Sequence, residues 1–204
     1  MVITPTASAD VALLSGYAGT TRPGLVIFLN GTSSSGKSSI ATELLQILDE
    51  TYFHMSIDDF HAMRVDRDID AEHLQAEIDR TAKGFHRSVA GMAAAGNNVV
   101  VDHVLTQPWR LTDCLALLVP EDVVFVGVTC SLDEVQRRER ERGDRDAGLA
   151  ERQFTLVHQH GTYDIECDTS VCTPLECAES IKTFLSRRPR PTAFERLRAG
   201  SARS

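Results

Sequence analysis

The sequence predicts an α/β protein, a parallel sheet covered by helices on both faces. Three observations carry this. Short continuous apolar runs recur at Leu25–Leu29 (LVIFL), Val99–Val101 and Val123–Val128, as strands buried on both faces require. Between them lie longer stretches with apolar residues at helical spacing. The two kinds of segment alternate along the chain, which places parallel strands in one sheet joined by helical crossovers.

The elements follow in order. Met1–Gly24 is small, polar and without a sustained period, and is expected to be a loose extension. After the Leu25–Leu29 strand, Gly31–Gly36 is a small-residue loop, and Ser38–Glu50 carries Ile40, Leu44, Leu45, Ile47 and Leu48 at helical spacing. Tyr52–Ile57 reads as a second strand. Asp70–Ala95 reads as a helix with a stripe at Leu74, Ile78, Phe85, Val89 and Met92, stopped by Gly96-Asn97-Asn98. Val99–Val101 is the third strand, Trp109–Val119 a helix and Val123–Val128 the fourth strand. Ser131–Arg142 is a charged helix capped by Ser131. Ala147–His158 is a further helix, Tyr163–Cys167 a fifth strand and Pro174–Ser186 a last helix with proline at its start. No internal repeat or second domain is apparent.

The chain has 204 residues, 42% hydrophobic and 25% charged, enough for one domain with a full core. No apolar run approaches the roughly 20 residues that span a bilayer, and the start carries no basic-then-apolar leader. The expectation is a cytoplasmic protein with no membrane partner. Five cysteines, three of them spaced by five at Cys167, Cys172 and Cys177, do not match zinc-ligand pairs and read as reduced thiols. The net charge of −8 argues against nucleic-acid binding. From Arg187 onward six arginines face one glutamate, and residues 187–204 are expected to form a basic, mobile tail.

Gly31-Thr32-Ser33-Ser34-Ser35-Gly36-Lys37-Ser38 fits the phosphate-loop pattern G-x-x-x-x-G-K-[ST] in full. Its glycines let successive N–H groups turn toward phosphate oxygens, Lys37 supplies charge to the outer phosphates, and the Ser38 hydroxyl can ligate magnesium. The following helix, with Ser39 in its first turn, turns its positive end to the anion. Residues 31–39 are therefore the nucleotide-binding candidates, with ATP and Mg2+ as cofactors. Val99-Val-Val-Asp102 is an apolar strand ending in a carboxylate, suited to hold magnesium with Ser38. Asp58, just past the second strand, lies at the sheet edge where ligands bind and could accept a hydroxyl proton; a turn or helix cap is an equal reading for it. Arg137, Arg138, Arg140, Arg142 and Arg145 crowd around Gly143 with Glu139, Glu141, Asp144 and Asp146. Arg137 and Arg140 read as surface ion pairs, while the flanking glycines suggest a small lid near 137–148 that lowers cations onto a phosphoryl group.

The sequence LNGTSSSGKS over 29–38, Asp102, Trp109-Arg110, Val126-Gly-Val-Thr-Cys130 and Arg142-Gly-Asp-Arg145 with Ala147-Gly148 resemble the chloramphenicol phosphotransferase family and its relatives. Val157-His158, Tyr163-Asp164, Asp168-Thr169, Glu176-Cys-Ala178 and Ile181 extend the resemblance across Leu25–Phe184. It implies a P-loop kinase fold over 25–186 like that of nucleoside-monophosphate and shikimate kinases, with strand order 2-3-1-4-5. It also implies ATP-dependent phosphorylation of a hydroxyl on a small antibiotic, with Asp58 as base and Arg138, Arg142 and Arg145 as lid arginines. Phe60–Ile69 (FHAMRVDRDI) departs from the Gly-rich insertion of the family's antibiotic kinase, so chloramphenicol itself is not supported as acceptor.

Phe60, His61, Met63, His103, Trp109 and Arg110 are the acceptor-pocket candidates besides Asp58; His103 could instead be an inert loop residue and Trp109 core. A metabolic small-molecule kinase of the shikimate-kinase type, or a nucleotide-binding regulatory module, remain alternatives. The absence of a guanine-specifying N-K-x-D favours the kinase. The oligomeric state is open, a homo-oligomer included.

Overall fold

The computed structural model describes residues 22–65, 70–142 and 148–201. Five parallel strands, β1 (Val26–Asn30), β2 (Tyr52–Ser56), β3 (Asn98–His103), β4 (Val123–Thr129) and β5 (Ile165–Asp168), form one sheet in the order β2-β3-β1-β4-β5. This is the order that the resemblance implies. Eight α-helices among the described residues complete the chain: α1 (Lys37–Ile47), α2 (Ile57–Ala62), α3 (Ala71–Ala94), α4 (Pro108–Leu117), α5 (Leu132–Arg142), α6 (Leu149–Phe154), α7 (Pro174–Arg187) and α8 (Ala193–Ser201).

Period-two alternation sorts the central strands into two cores. Val26 and Phe28 of β1 join Val99, Val101, Val123 and Phe125 under α3, α4 and α8. Ile27 and Leu29 join Val100, Val124 and Val126 under α1 and α7. Register aligns the carboxyl ends of the strands: Leu29 lies opposite Asp102, and Ser56 pairs with the same Asp102 from the other side. One edge of the sheet therefore collects the P-loop, Asp102 and the start of α2.

Local chemistry sets several boundaries. Ser56 ends β2 because its hydroxyl accepts the Asp58 N–H at 3.2 Å and caps α2. Asp70 caps α3 in the same way through the His73 N–H. Thr173 and Glu176 form a reciprocal capping box at α7, with Pro174 at its first position. The expected helix over 147–158 is shorter, ending at Phe154, and the chain continues in turns to His160. The Val157 carbonyl is taken by the buried side chain of Asn30 at 2.8 Å.

The C-terminal segment corrects the expectation of a mobile tail. Ala193–Ser201 forms α8, and Phe194 is fully buried against Phe28 and Phe125, with ring centroids 6.0 and 5.1 Å away. The low count of large apolar residues concealed one well-placed aromatic. The arginines have structural work as well: Arg198 donates to the Leu115 and Leu118 carbonyls at the end of α4, and Arg196 to those of Tyr163 and Pro191. The Leu115 and Leu118 carbonyls are backbone acceptors that the end of α4 leaves unmatched. The buried Thr192 hydroxyl donates to Pro120 O at 2.8 Å, and Asp164 accepts the Ala193 N–H at 2.6 Å.

Phe194→Ala removes a fully buried ring from a three-phenylalanine cluster, and we expect it to cost about 3–5 kcal/mol of stability. Denaturant unfolding checks this. A loss below about 1 kcal/mol, the scale of a surface change, would mean that α8 is not part of the cooperative core.

Candidate active site

Two glycines shape the P-loop. A side chain at Gly31 would meet the Val128 carbonyl oxygen at 2.3 Å and the Ser35 hydroxyl at 2.7 Å, so none fits. Gly36 sits at φ +94°, in the left-handed region, where it caps α1. The loop is tied down from distant parts of the chain. The Ser33 N–H donates to Gln153 Oε1 at 2.7 Å, and the Thr169 hydroxyl donates to the Ser35 carbonyl at 2.7 Å. The hydroxyls of Ser33, Ser34 and Ser35 are buried and have no hydrogen-bond partner.

Lys37 is buried, its Nζ donating to the Thr32 carbonyl at 2.8 Å and lying 3.7 Å from Asp102 Oδ1. Ser38 Oγ donates to Asp102 Oδ2 at 2.6 Å. Hydroxyl and carboxylate oxygens at such proximity are the hard donor set that magnesium takes, completed in such sites by phosphate oxygens and water. Together with the unpartnered serine hydroxyls around the loop, these residues fit a magnesium–polyphosphate group. A cleft of about 360 Å3 opens over them. Ser33, Ser34, Gly36, Lys37, Ser38 and Ser39 form its floor, Asp102 and Val104 one wall, and Arg138, Thr169, Cys172 and Pro174 another; Ile57 and Asp58 face in from α2.

The expected site residues divide accordingly. Asp58 lines the cleft, while Asp59 is exposed on α2 and does not. Arg138 lines it too, but is held there: its guanidinium donates to Glu134 Oε1 at 2.7 Å, to the Thr169 carbonyl at 2.8 Å and to the Thr169 hydroxyl at 3.1 Å. Arg137 pairs with Glu134 and Glu141 on the exposed face of α5. Residues 137–142 of the expected lid belong to α5, while the Arg142 side chain and residues 143–147, Arg145 among them, lie outside the described residues.

Of the expected acceptor-pocket residues, His61 is half-buried near Asp58, Arg64 and Arg110 and does not line the cleft, and its imidazole is pushed below the ordinary value, first by burial and then by Arg64. Phe60 packs edge-on to Phe85 at 5.0 Å. Arg110 is buried, with one nitrogen donating to the Val104 carbonyl at 3.3 Å and another 3.8 Å from Asp79. Trp109 packs against the core and lies under the cations of Lys83 and Arg110, at 5.4 and 5.7 Å. Met63 is 73% exposed and outside the cleft. His103 differs most from expectation. It is fully buried, and its Nε2 lies 2.9 Å from His86 Nε2, whose Nδ1 lies 2.7 Å from Asp113. It belongs to a buried polar chain behind Asp102 and does not line the cleft.

Two residues that sequence reasoning missed organise the surroundings. Asn30 donates to the Val157 carbonyl at 2.8 Å and to the Tyr163 hydroxyl at 2.7 Å, and accepts the Leu105 N–H at 3.0 Å. Its signal was a polar residue ending an apolar strand. Glu139, buried on α5, accepts the N–H groups of Gly148 and Ala150, both at 3.0 Å, and caps α6. It was hidden among the charged residues of α5.

The sequence model described as "Chloramphenicol phosphotransferase-like protein" matches residues 24–186, and the chain belongs to that family. A Mycobacterium tuberculosis protein named "Putative O-phosphotransferase" is 30% identical over 199 residues, covering 86% of this chain and 88% of that one. Among solved structures, the fold is similar to Mycobacterium tuberculosis APS kinase in complex with AMPPNP and APS (TM-score 0.61, 16% identity, 80% of this chain and 98% of that one). It is also similar to a gluconokinase from Sinorhizobium meliloti (TM-score 0.57, 16% identity, 82% and 94%). These place the chain among P-loop kinases by fold and among phosphotransferases by family.

Burial holds five imidazoles, those of His61, His86, His103, His158 and His160, below the ordinary histidine value. His160, stacked on Phe125 at 5.0 Å, is lowered from 6.5 to about 4. The unfolded chain then binds protons that the folded one refuses, so stability is full above the unfolded value of 6.5 and falls toward pH 4. Asp164, raised by burial, works in the opposite sense as a single group. We expect a lower melting temperature at about pH 5 than at about pH 7.5, and a smaller difference in His160→Phe. Equal melting temperatures at the two pH values would contradict this.

Proposed function

We propose that this member of the chloramphenicol phosphotransferase-like family transfers the γ-phosphoryl group of ATP to a hydroxyl of a small molecule, with antibiotics as the acceptor class to test first. The observation that carries the reading is one cleft in which the P-loop lysine, the Ser38–Asp102 pair and the Asp58 carboxylate face one another. The name carried by the mycobacterial relative supports the O-linked acceptor. The APS kinase neighbour was solved with an ATP analogue, which supports the nucleotide.

In this reading the N–H groups of residues 31–38 and the Lys37 ammonium hold the phosphates in a fixed orientation. Ser38 and Asp102 hold magnesium, which supplies positive charge to neutralise the phosphate oxygens. Asp58 takes the proton from the acceptor hydroxyl as its oxygen approaches the γ-phosphorus in line. Positioning and charge stabilisation then supply most of the rate, since a loose phosphoryl-transfer transition state needs little covalent help. Arg138 stays on its Thr169 anchor and closes one wall of the nucleotide region. Arg142 and Arg145 are proposed as cations for the phosphoryl oxygens on the family resemblance alone. Phe60, His61 and Arg110 flank Asp58 on the acceptor side.

A screen of hydroxylated antibiotics and metabolites for acceptor-stimulated ADP release, confirmed by gain of one phosphate in the acceptor mass, tests the reading. With the acceptor so found, Lys37→Ala should remove most transfer. Asp58→Asn should lower kcat by about 10²-fold or more with little change in ATP affinity, the scale of a lost general base. Asp59→Asn should stay near the parent. Near-parental turnover in Lys37→Ala at saturating ATP would sink the phosphotransfer assignment; sensitivity of Asp59 in place of Asp58 would move the base by one residue.

A further inference from the structure

The arginines around the cleft are not satisfied alike. Arg138, part-buried, makes three hydrogen bonds between 2.7 and 3.1 Å. Arg110 is more deeply buried, at 9% exposure, and donates one bond, from Nη1 to the Val104 carbonyl at 3.3 Å. Its Nε–H is buried with no partner among the described residues. Asp79 Oδ1 stands 3.8 Å from Nη2, beyond hydrogen-bond reach, and already accepts Gln75 Nε2 at 2.9 Å. A guanidinium is all donors and stays charged, and a buried cation without close acceptors is costly. The surroundings add positive charge. Lys83 shares the Trp109 indole with Arg110, at 5.4 and 5.7 Å from the ring. Arg110 lies in the first turn of α4, whose N-cap Gln107 supplies no side-chain hydrogen bond, so the positive end of that helix faces the same loop. The guanidinium reaches back over this helix start to Val104, and Val104 lines the cleft that Asp58 also lines.

We propose that Arg110 binds an oxyanion carried by the acceptor, so that the substrate is a hydroxylated acid bearing a carboxylate, sulfate or phosphate group. The hydroxyl rests on the transfer reading above; the anion site does not. Two oxygens of such a group match the Nε–H and one Nη2–H, the edge of the planar fork that Val104 leaves open. Asp79, partly exposed, marks where solvent approaches that edge. Its carboxylate opposes an anion, while Arg110, Lys83 and the start of α4 favour one. An acceptor held this way lies along the Val104 wall with its hydroxyl toward Asp58, apart from the Lys37 side of the cleft. Arg110 is then a specificity residue: it acts on the affinity for acceptor and leaves that for ATP alone. A neutral ester or amide in place of the acid returns the guanidinium to its unmatched state, which is how such a site rejects it.

Trp109 is the single tryptophan of the chain, so intrinsic fluorescence reports on the surroundings of Arg110. The full chain is titrated with acetate and, separately, with sulfate, at constant ionic strength made up with chloride. We expect a saturable change with at least one of them, acetate marking a carboxylate site and sulfate a sulfate or phosphate site. Arg110→Met should weaken it by about tenfold or more, the scale of a lost charged hydrogen bond. Arg110→Lys keeps the charge, loses the fork and should fall between the two. Lys37→Ala should keep the signal, which separates it from an anion held by the P-loop. In the acceptor screen, each hydroxy acid is paired with its methyl ester. The parent should favour the acid by about tenfold or more in kcat/KM. Arg110→Met should lose that preference and keep its magnesium–ATP affinity by calorimetry. The proposal is overturned if neither anion gives a saturable change, if the signal survives in both Arg110 variants or vanishes in Lys37→Ala, if acid and ester serve equally, or if Arg110→Met loses ATP affinity in step. An Arg110-dependent signal in a protein that phosphorylates no hydroxy acid would uphold the anion site and overturn the transfer reading.

Discussion

The Asn30 side chain is fully buried at the end of an apolar strand, where an unmatched amide would cost about 1–3 kcal/mol per polar group. Its matches lie 75, 127 and 133 residues away in sequence, at Leu105, Val157 and Tyr163. These are the loop after β3, the turns after α6 and the lead into β5. The amide can be satisfied only when all three segments are in place. Tyr163 extends the constraint, because its hydroxyl lies 2.6 Å from His158 Nδ1 and its ring packs over Gly127, where any side chain would collide with it. The P-loop begins at the next residue, Gly31, so its starting geometry is fixed by a buried polar node that spans most of the fold.

The same logic governs the loop itself. A chain of Ser, Thr and Gly has no apolar surface with which to hold a shape, and its backbone must be held by hydrogen bonds. Gln153 takes the Ser33 N–H and Thr169 binds the Ser35 carbonyl, from either side of β5. Arg138 clamps Thr169 in turn, and is itself held by Glu134. Within the loop, the buried Lys37 ammonium is balanced by the Thr32 carbonyl and Asp102, without which its desolvation would be severe. The loop is thus held in shape by the chain's own hydrogen bonds, and a fixed polar site of this kind is the condition for electrostatic catalysis without reorganisation.

Legibility followed the range of the forces involved. The strands, the helices and the P-loop were readable because period, composition and the two fixed glycines are local signals. Gly31 and Gly36 show why: one position has no room for a side chain, and the other has a backbone angle that disfavours one. The sheet order was reachable only through family resemblance, since periodicity does not say which strand pairs with which. Phe194 and Arg198 were misread as tail because composition cannot show that one ring reaches Phe28, or that a guanidinium finds the end of α4. His103 follows Asp102 in sequence, yet alternation along β3 sends the two side chains to opposite faces of the sheet, one to the cleft and the other to His86. The buried roles of Asn30 and Glu139 were likewise invisible, because their partners are distant or embedded in a charged run.

The cleft draws its two sides from different parts of the chain, and this bears on how an acceptor is chosen. The phosphate floor and nucleotide wall come from residues 33–39, Arg138 and the turn that runs from Thr169 to Pro174. The opposite side comes from α2 and the loop after β3, with Ile57 and Asp58 on one and Val104 on the other. The Ser38 hydroxyl and Asp102 meet between the two at the sheet edge. In the function proposed above, substitution in α2 would alter the acceptor surface without disturbing the hydrogen bonds that set the P-loop. Function resides in the site more than in the fold, and here the site divides again: the P-loop is bound to the core through Asn30, Thr169 and Arg138, while Asp58 hangs on one short helix capped by Ser56. In the function proposed above, such a division would let phosphoryl transfer be kept while the acceptor changes.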